Sequence, residues 1–124
     1  MIQTDVIESI CDNLIQLDSK IRFIGVIDYD GRILVQKQND KLNVNLSMQD
    51  VEVLFTEIAL GIRMEKGHDR YFGKENFAIS YGSKITSIVF PLHHEFVCVF
   101  VSKEADAVKI AFFIFNMLSE TRSK

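Results

Sequence analysis

The order of its apolar patterns limits what this chain can fold into more than any other feature. A helical pattern is followed by two strand-like runs, a second helical pattern, three more strand-like runs and a last helical pattern. With 124 residues the chain is long enough for one domain and too short for two. The sequence therefore predicts a single α/β domain over residues 1–124, of the α+β type, with the order α-β-β-α-β-β-β-α.

The first helix and the first strand are predicted over residues 4–18 and 21–28. Both alternating sets of side chains in the strand are apolar, which is typical of a strand in the middle of a sheet covered on both faces. One set contains Ile21, Phe23 and Ile27, and the other contains Ile24 and Val26. Gly25 interrupts these large residues, and it indicates either the close approach of another element or a bulge.

A hairpin is predicted to join the first two strands. The pair Asp30-Gly31 is typical of a two-residue turn in which both residues have positive φ. The return strand, residues 32–38, is predicted to place Ile33 and Val35 on the same face. It becomes polar toward its end, so we expect it at an edge of the sheet.

The second helix carries more apolar surface than one stripe can hold. It is predicted from Ser47 to about Lys66, with a main apolar stripe at helical spacing. Three further apolar residues, Val53, Leu60 and Met64, lie off that stripe. A helix with a second apolar patch often packs against something besides its own sheet.

Three strands are predicted in succession after the second helix, over residues 77–81, 85–92 and 96–102. Gly82-Ser83 separates the first two of them and favours a type II′ turn. Pro91 falls near the end of its strand, where its missing N–H disturbs the sheet least. The first of these strands is expected to be an edge, and an exposed edge attracts a partner strand.

The last helix, residues 104–121, is apolar around most of its circumference. Two interpretations follow from this pattern. In the first, the helix is the most buried element of the fold, because a helix buried on all sides is apolar all round. In the second, part of its surface, including Phe113 and Met117, contacts another chain.

Three segments resemble the roadblock/dynein light-chain family. Residues 24–35 read IGVIDYDGRILV, a strand that ends in an acidic turn with Gly and is followed by an apolar return strand. Residues 88–92 and 96–101 read IVFPL and FVCVFV, and they are similar to the last two strands of that family. The resemblance implies a profilin-like scaffold: a five-stranded antiparallel sheet with the middle helix on one face and the terminal helices on the other. Phe55 and the bulky last helix depart from the family pattern, which often has smaller residues there.

The same resemblance implies a homodimer that forms through the third strand and the middle helix. The expected dimer interface contains Val53, Leu60, Met64, Phe77, Ile79 and Tyr81. Members of the family act as scaffolds, as regulators of small GTPases or as adaptors of motor complexes. The resemblance therefore implies a non-catalytic scaffold or regulator that binds a protein partner, with a small GTPase as the candidate.

The segment from Lys66 to Asn76 gathers positive charge in a chain that is acidic overall. Its glycines do not have the spacing of a phosphate-binding loop, and it follows a helix where such a loop must precede one. One interpretation is that His68, Arg70 and Lys74 form a binding patch for an anion or an acidic protein partner. A solvated connector is the alternative interpretation.

No set of residues predicts catalysis, a bound metal or a cofactor. Cys98 alternates with valines in a buried-looking strand, where a thiol is inert. His93 and His94 lack further ligands at the spacing of a zinc site. Turn formation accounts for Asp28 and Asp30. We therefore expect a protein that is not an enzyme and that holds no cofactor.

Composition narrows the partners and the compartment. A formal net charge of −3 and a pI near 5.6 argue against nucleic-acid binding. The cysteine usage predicts a reducing cytoplasm, and we expect neither a signal peptide nor a membrane span. The Ile- and Lys-rich composition is similar to that of small archaeal proteins. The alternative to a scaffold is a sensor of the PAS or GAF type, with a small ligand between sheet and helix.

Overall fold

The elements of secondary structure follow the predicted order. The computed structural model describes residues 4–39, 53–58, 61, 71, 73–92 and 94–122. The longer helical segments are α1 (Thr4–Ile15), α2 (residues 53–58) and α3 (Ala107–Arg122), and among the other described residues 61 and 71 are also helical. The strands are β1 (Ile21–Asp28), β2 (Ile33–Gln38), β3 (Ala78–Tyr81), β4 (Ile85–Pro91) and β5 (Glu95–Ser102). The order α-β-β-α-β-β-β-α is thus confirmed.

The five strands form one antiparallel sheet in the order β2-β1-β5-β4-β3. β1 and β5 lie inside the sheet, and nearly all of their side chains are buried. β2 and β3 lie at its two edges, as predicted. The apolar pattern on both sides of β1 therefore reflects its position inside a covered sheet.

Helices cover both faces of this sheet. α1 packs against β1 and β2, and α3 packs against β3 and β4. The core under α1 and α3 includes Ile7, Cys11, Leu14, Ile24, Val26, Val97, Val99, Ile110 and Ile114. The core under α2 contains Phe23, Ile27, Phe55, Val89, Phe96, Cys98 and Phe100. The terminal helices and the middle helix thus lie on opposite faces, as the family resemblance implied.

Two register shifts place side chains on faces that simple alternation does not predict. Between Ile21 and Phe23 the pairing of β1 with β5 shifts by one residue, so Ile21 joins the core under α1 and α3 while Phe23 faces α2. A second shift lies where Val26 pairs with Val35 and Ile27 pairs with Ile33. The predicted common face of Ile33 and Val35 is wrong, because Leu34 is an extra residue between them and the two side chains enter different cores.

The hairpin between β1 and β2 also differs from the prediction. Gly31 has φ of +85°, but no residue other than glycine has positive φ in the described chain, which excludes a two-residue turn with positive φ at Asp30. The N–H of Asp28 instead donates to the carbonyl of Arg32 (3.0 Å), which closes a three-residue loop with glycine last. The Asp28 carboxylate favours this loop, because its Oδ1 accepts the N–H groups of Asp30 (2.9 Å) and Arg32 (3.0 Å).

Gly25 allows α2 to approach the sheet. A Cβ atom at this position would overlap the ring of Phe55 and would lie 2.9 Å from its Cε2 atom. The ring is fully buried, and its centroid lies 6.0 Å from that of Phe23 and 5.9 Å from that of Phe100. Close approach, one of the two explanations offered for Gly25, is therefore confirmed.

The turn between β3 and β4 is not of type II′, because Gly82 does not have positive φ. Tyr81 pairs with Thr86, which leaves four residues in the loop. A Cβ atom on Gly82 would overlap the carbonyl oxygen of Ile85, so the loop needs glycine for space.

Polar side chains lie where α1 ends and α3 begins, and both of these ends fall inside the predicted boundaries. α1 ends at Ile15, and Oδ1 of Asp18 then accepts the N–H of Lys20 (2.8 Å) in a turn. α3 begins at Ala107, three residues later than predicted, because Oδ1 of Asp106 accepts the N–H of Lys109 (3.1 Å) as an N-cap. Most of the predicted segment from Ser47 to Lys66 lies outside the described residues, of which 53–58 and 61 are helical.

Gly31→Val is expected to lower the free energy of unfolding by about 1–3 kcal/mol, measured by urea denaturation. Two causes act together: the φ of +85° strains any β-branched residue, and a Cβ would lie 2.7 Å from the Cα of Thr56. Gly73→Val is the matched control, since Gly73 has φ of +78° with nothing near its Cβ position. Equal losses in the two variants would show that the contact with Thr56 contributes nothing.

Gly25→Ala is expected to destabilise the fold by about 1–3 kcal/mol through overpacking against the Phe55 ring. In a Phe55→Leu background the same change should cost at least about 1 kcal/mol less, since the ring it meets is gone. Gly61→Ala is the control, because a Cβ there meets nothing within 4 Å. If the losses from Gly25→Ala and Phe55→Leu are additive in denaturation experiments, the added methyl group does not clash with the Phe55 ring.

Candidate interaction surface

β3 is the element on which the predicted interface depends. Among the described strands it pairs only with β4, in a regular register from Ala78 opposite Val89 to Tyr81 opposite Thr86. Its other side therefore faces away from the described sheet. An edge of this kind is a template for a further strand.

Phe77, Ile79 and Tyr81 share one face of the sheet, the face covered by α1 and α3, because side chains alternate along a strand. Phe77 and Ile79 are half-buried against that core, and Tyr81 is 66% exposed. Aromatic rings surround Phe77, whose centroid lies 5.7, 5.2 and 5.9 Å from those of Phe90, Phe112 and Phe115. Three of the predicted interface residues thus meet along the β3 edge.

The predicted patch on the middle helix is described at one position. Val53 is 53% exposed, whereas Phe55 is buried and contacts the sheet. Leu60 and Met64 lie outside the described residues. Because α2 covers the opposite face from Phe77, the predicted interface draws on both faces of the sheet and on the edge between them.

The positively charged segment before β3 is described in part. Lys74 is exposed and follows Gly73, whose φ is +78°. His68 and Arg70 lie outside the described residues. Lys74 therefore lies in the segment that directly precedes β3, which begins at Ala78.

α3 is not buried on all sides, so the first of the two interpretations of its sequence is wrong. Val108, Phe112 and Phe113 are 46%, 55% and 53% exposed. Met117, which was grouped with Phe113, is half-buried against the core. α3 therefore leaves large apolar side chains exposed at the surface of the described chain. No helix within the described residues is long and apolar enough to cross a membrane.

Neither cysteine is suited to nucleophilic chemistry. Cys11 and Cys98 are free thiols, and both are buried, as predicted. Burial raises the pKa of Cys98 to about 12, since desolvation disfavours the thiolate. Burial, with a smaller contribution from the carboxylate of Asp12, raises the pKa of Cys11 to about 12. Both thiols therefore stay protonated at neutral pH.

Acidic and histidine side chains near the ends of the hairpins make hydrogen bonds or ring contacts with neighbouring residues. Asp28 stabilises the β1–β2 loop, and Oε2 of the buried Glu95 accepts the N–H of His94 (3.0 Å). The ring of His94 lies 6.2 Å from that of Tyr29. Across the residues that the structure describes, no group of three or more His, Cys, Asp or Glu side chains could hold a metal ion. His93 lies outside them.

One groove was not predicted from the sequence. It has a volume of about 600 Å³ and follows the outer edge of β2, from Asp30 to Gln36, with Thr56 of α2 on its far side. The only sequence signal for it was the polar character of the strand. The space above Gly25, where a sensor would hold a ligand between sheet and helix, is filled by the Phe55 ring.

Solved structures of roadblock-domain proteins and of a profilin resemble the chain over nearly its whole length. MglB, in a tetrameric arrangement, has a TM-score of 0.76 at 13% identity, over 97% of this chain and 90% of MglB. The roadblock/LC7 domain from Streptomyces avermitilis has a TM-score of 0.69 at 10% identity, over 94% of this chain and 97% of that domain. LokiProfilin1, from its complex with rabbit actin, has a TM-score of 0.55 at 16% identity, over 98% of this chain and 97% of that one. These similarities confirm the predicted roadblock-like fold.

Sequence comparison assigns the family. No protein with curated annotation matches the chain significantly, and the comparisons give no support to an archaeal origin. One family model, described as a family of unknown function (DUF6659), matches residues 1–123. Since this match covers all but the last residue, the chain belongs to the DUF6659 family, and its members are expected to share the roadblock-like sheet described above.

Proposed function

We propose that this protein is a non-catalytic, homodimeric interaction module that acts as a scaffold or regulator, with a small GTPase as the candidate partner. The observation that carries the proposal is the open β3 edge of a roadblock-like sheet. A small GTPase is the candidate partner because the hairpin sequences resemble those of the roadblock/dynein light-chain family.

The homodimer is supported by what lies beside that edge. β3 is regular over its whole length, and its last residue, Tyr81, is 66% exposed. Val53 of α2 leaves a further large apolar side chain at the surface. If β3 pairs with its own copy, one sheet continues across two chains, and backbone hydrogen bonds add to apolar burial.

The absence of catalysis is supported by the state of the reactive side chains. Both thiols have a pKa of about 12, and Asp28 is engaged by two backbone N–H groups of its own turn. Nucleophilic catalysis needs a side chain that is activated and accessible. A binding role makes no such demand.

The nature of the partner is supported by charge. The segment from Lys66 to Asn76, which includes His68, has a formal charge of +1, from Lys66, Arg70 and Lys74 against Asp69 and Glu75, in a chain whose net charge is −3. Such a local excess attracts an acidic surface and mainly raises the rate of association. The packing of Phe55 on Gly25 disfavours the alternative, a sensor with its ligand at that position.

Light scattering at micromolar concentration is expected to give about twice the chain mass of 14.2 kDa. Val53→Glu combined with Tyr81→Glu should shift the protein to monomer, raising the dissociation constant at least about tenfold, because each change places a carboxylate in an apolar contact. Leu34→Glu is the matched control, since Leu34 is an exposed apolar residue on the opposite edge strand. A wild-type monomer throughout this range would overturn the homodimer.

Arg70→Glu combined with Lys74→Glu is expected to slow association with a partner without changing folding or dimerisation. The partner is first obtained by affinity purification of the tagged protein from its native cell and identified by mass spectrometry. The reduction in on-rate should be largest at low salt and fade above 0.1 M, where the screening length falls below about 10 Å.

Arg32→Glu combined with Lys103→Glu makes the same change in net charge at two exposed positions outside this segment. It should leave the on-rate within about twofold of wild type, because steering depends on local potential. Equal on-rates for all three proteins at low ionic strength would mean that the segment is only a connector.

A further inference from the structure

The two exposed phenylalanines of α3 lie on different sides of the helix. Phe112 and Phe113 are 55% and 53% exposed, but adjacent residues point about 100° apart around a helix. The ring of Phe112 lies 5.2 Å from that of Phe77, which directly precedes β3. Phe112 therefore points toward the β3 edge, and Phe113 points away from it.

Other residues continue the side of α3 that faces the edge. Val108 and Phe115 lie four residues before and three residues after Phe112, which is the spacing of one helix face. Val108 is 46% exposed, and Phe115 is half-buried with its ring 5.9 Å from that of Phe77. This surface, formed by Val108, Phe112 and Phe115, is called the edge-side flank of α3. It is apolar, and it adjoins the strand whose outer side is open.

Sheet geometry indicates what would cover this flank. α3 packs against both β3 and β4, so its axis runs above the boundary between them. If β3 pairs with β3 of a second copy, the two α3 axes are separated by two strand spacings, or about 10 Å. Packed helices have axes about 8–10 Å apart. A second copy that adds its β3 to the sheet therefore brings its own α3 alongside.

The β3 edge needs such support. The strand has only four residues, Ala78–Tyr81, and stable dimers bury about 800 Å² on each partner. Side chains above and below the pairing strands must supply most of that area. The described part of α1 packs on β1 and β2, at the far side of the sheet, so it leaves the surface beside α3 accessible.

We propose that the edge-side flank of α3 is a second half of the dimer interface, which packs against the same flank of α3 in a second copy. The occupant is a second copy because the flank adjoins the β3 edge and because a two-fold contact places the same surface on both chains. This inference rests on the proposed pairing of β3 with its own copy. It adds α3 to an interface that the sequence predicts from β3 and the middle helix, and it places the contact at Phe112 rather than at Phe113, which one interpretation of the sequence favoured.

Phe112→Glu and Phe113→Glu form a matched pair of variants for the test, since they are the same change at adjacent, equally exposed positions. In sedimentation equilibrium, Phe112→Glu is expected to raise the dimer dissociation constant at least about tenfold. Phe113→Glu is expected to leave it within about threefold of wild type. If Phe112→Glu lowers the melting temperature, Val108→Glu takes its place, because Val108 lies on the same flank without the Phe77 ring contact. It should raise the dimer dissociation constant as Phe112→Glu does.

Cysteine cross-linking gives an independent readout. The native thiols are buried with a pKa of about 12, so an introduced surface cysteine is the reactive one. Under mild oxidation Phe112→Cys or Val108→Cys should form a covalent dimer, and Phe113→Cys should form much less.

The outcomes separate this inference from the proposed function. If the wild-type protein is a monomer, both the proposed homodimer and this inference are wrong. A wild-type dimer that is weakened by Val53→Glu with Tyr81→Glu, but equally insensitive to Phe112→Glu and Phe113→Glu, would leave the proposed function standing and overturn the role of α3. A dimer weakened by Phe113→Glu alone would also overturn it.

Discussion

The contact between the Phe55 ring and the bare backbone of Gly25 is the constraint on which much of the fold depends. It sets how closely α2 approaches the sheet, because no side chain larger than hydrogen fits beneath the ring. The next residue, Thr56, then lies against Gly31, so the hairpin loop must also present a glycine. The rings of Phe23 and Phe100 pack against it and against each other. One aromatic side chain thereby fixes the distance of a helix, the conformation of a loop and the filling of one core.

The sequence predicts the architecture well because hydrophobic periodicity is a property of whole segments. The strand at residues 21–28 matches the prediction at both ends, and all five strands were placed correctly. The faces of Ile21 and of Ile33 relative to Val35 could not be predicted, because a single extra residue in a strand reverses the alternation and leaves no mark in composition. The loop type was missed for a similar reason. The Asp28 carboxylate, a tertiary detail of one side chain, stabilises a longer loop than Asp30-Gly31 alone would favour.

The candidate interface was predictable in part. An edge position for β3 follows from segment order, and Tyr81 and Val53 are as exposed as an interface residue must be. The sequence could not show which of Phe112 and Phe113 faces the β3 edge, since both lie in a helix that is apolar nearly all round. Only the position of Phe77 beneath Phe112 shows which of them faces the edge. Met117 was the converse case, because a residue that could have been exposed turns inward to the core.

The bulge at Leu34 has a consequence for how many copies can join. A sheet with two usable edges would add chain after chain, and the product would be a fibre. Here the β2 edge carries an extra residue in its ladder, and Lys37 adds a charged side chain there, whereas the β3 edge is regular. Irregularity and charge at an edge oppose strand addition. In the proposed dimer the two regular β3 edges pair with each other, and the β2 edges left at the two ends of the sheet oppose the addition of a third chain.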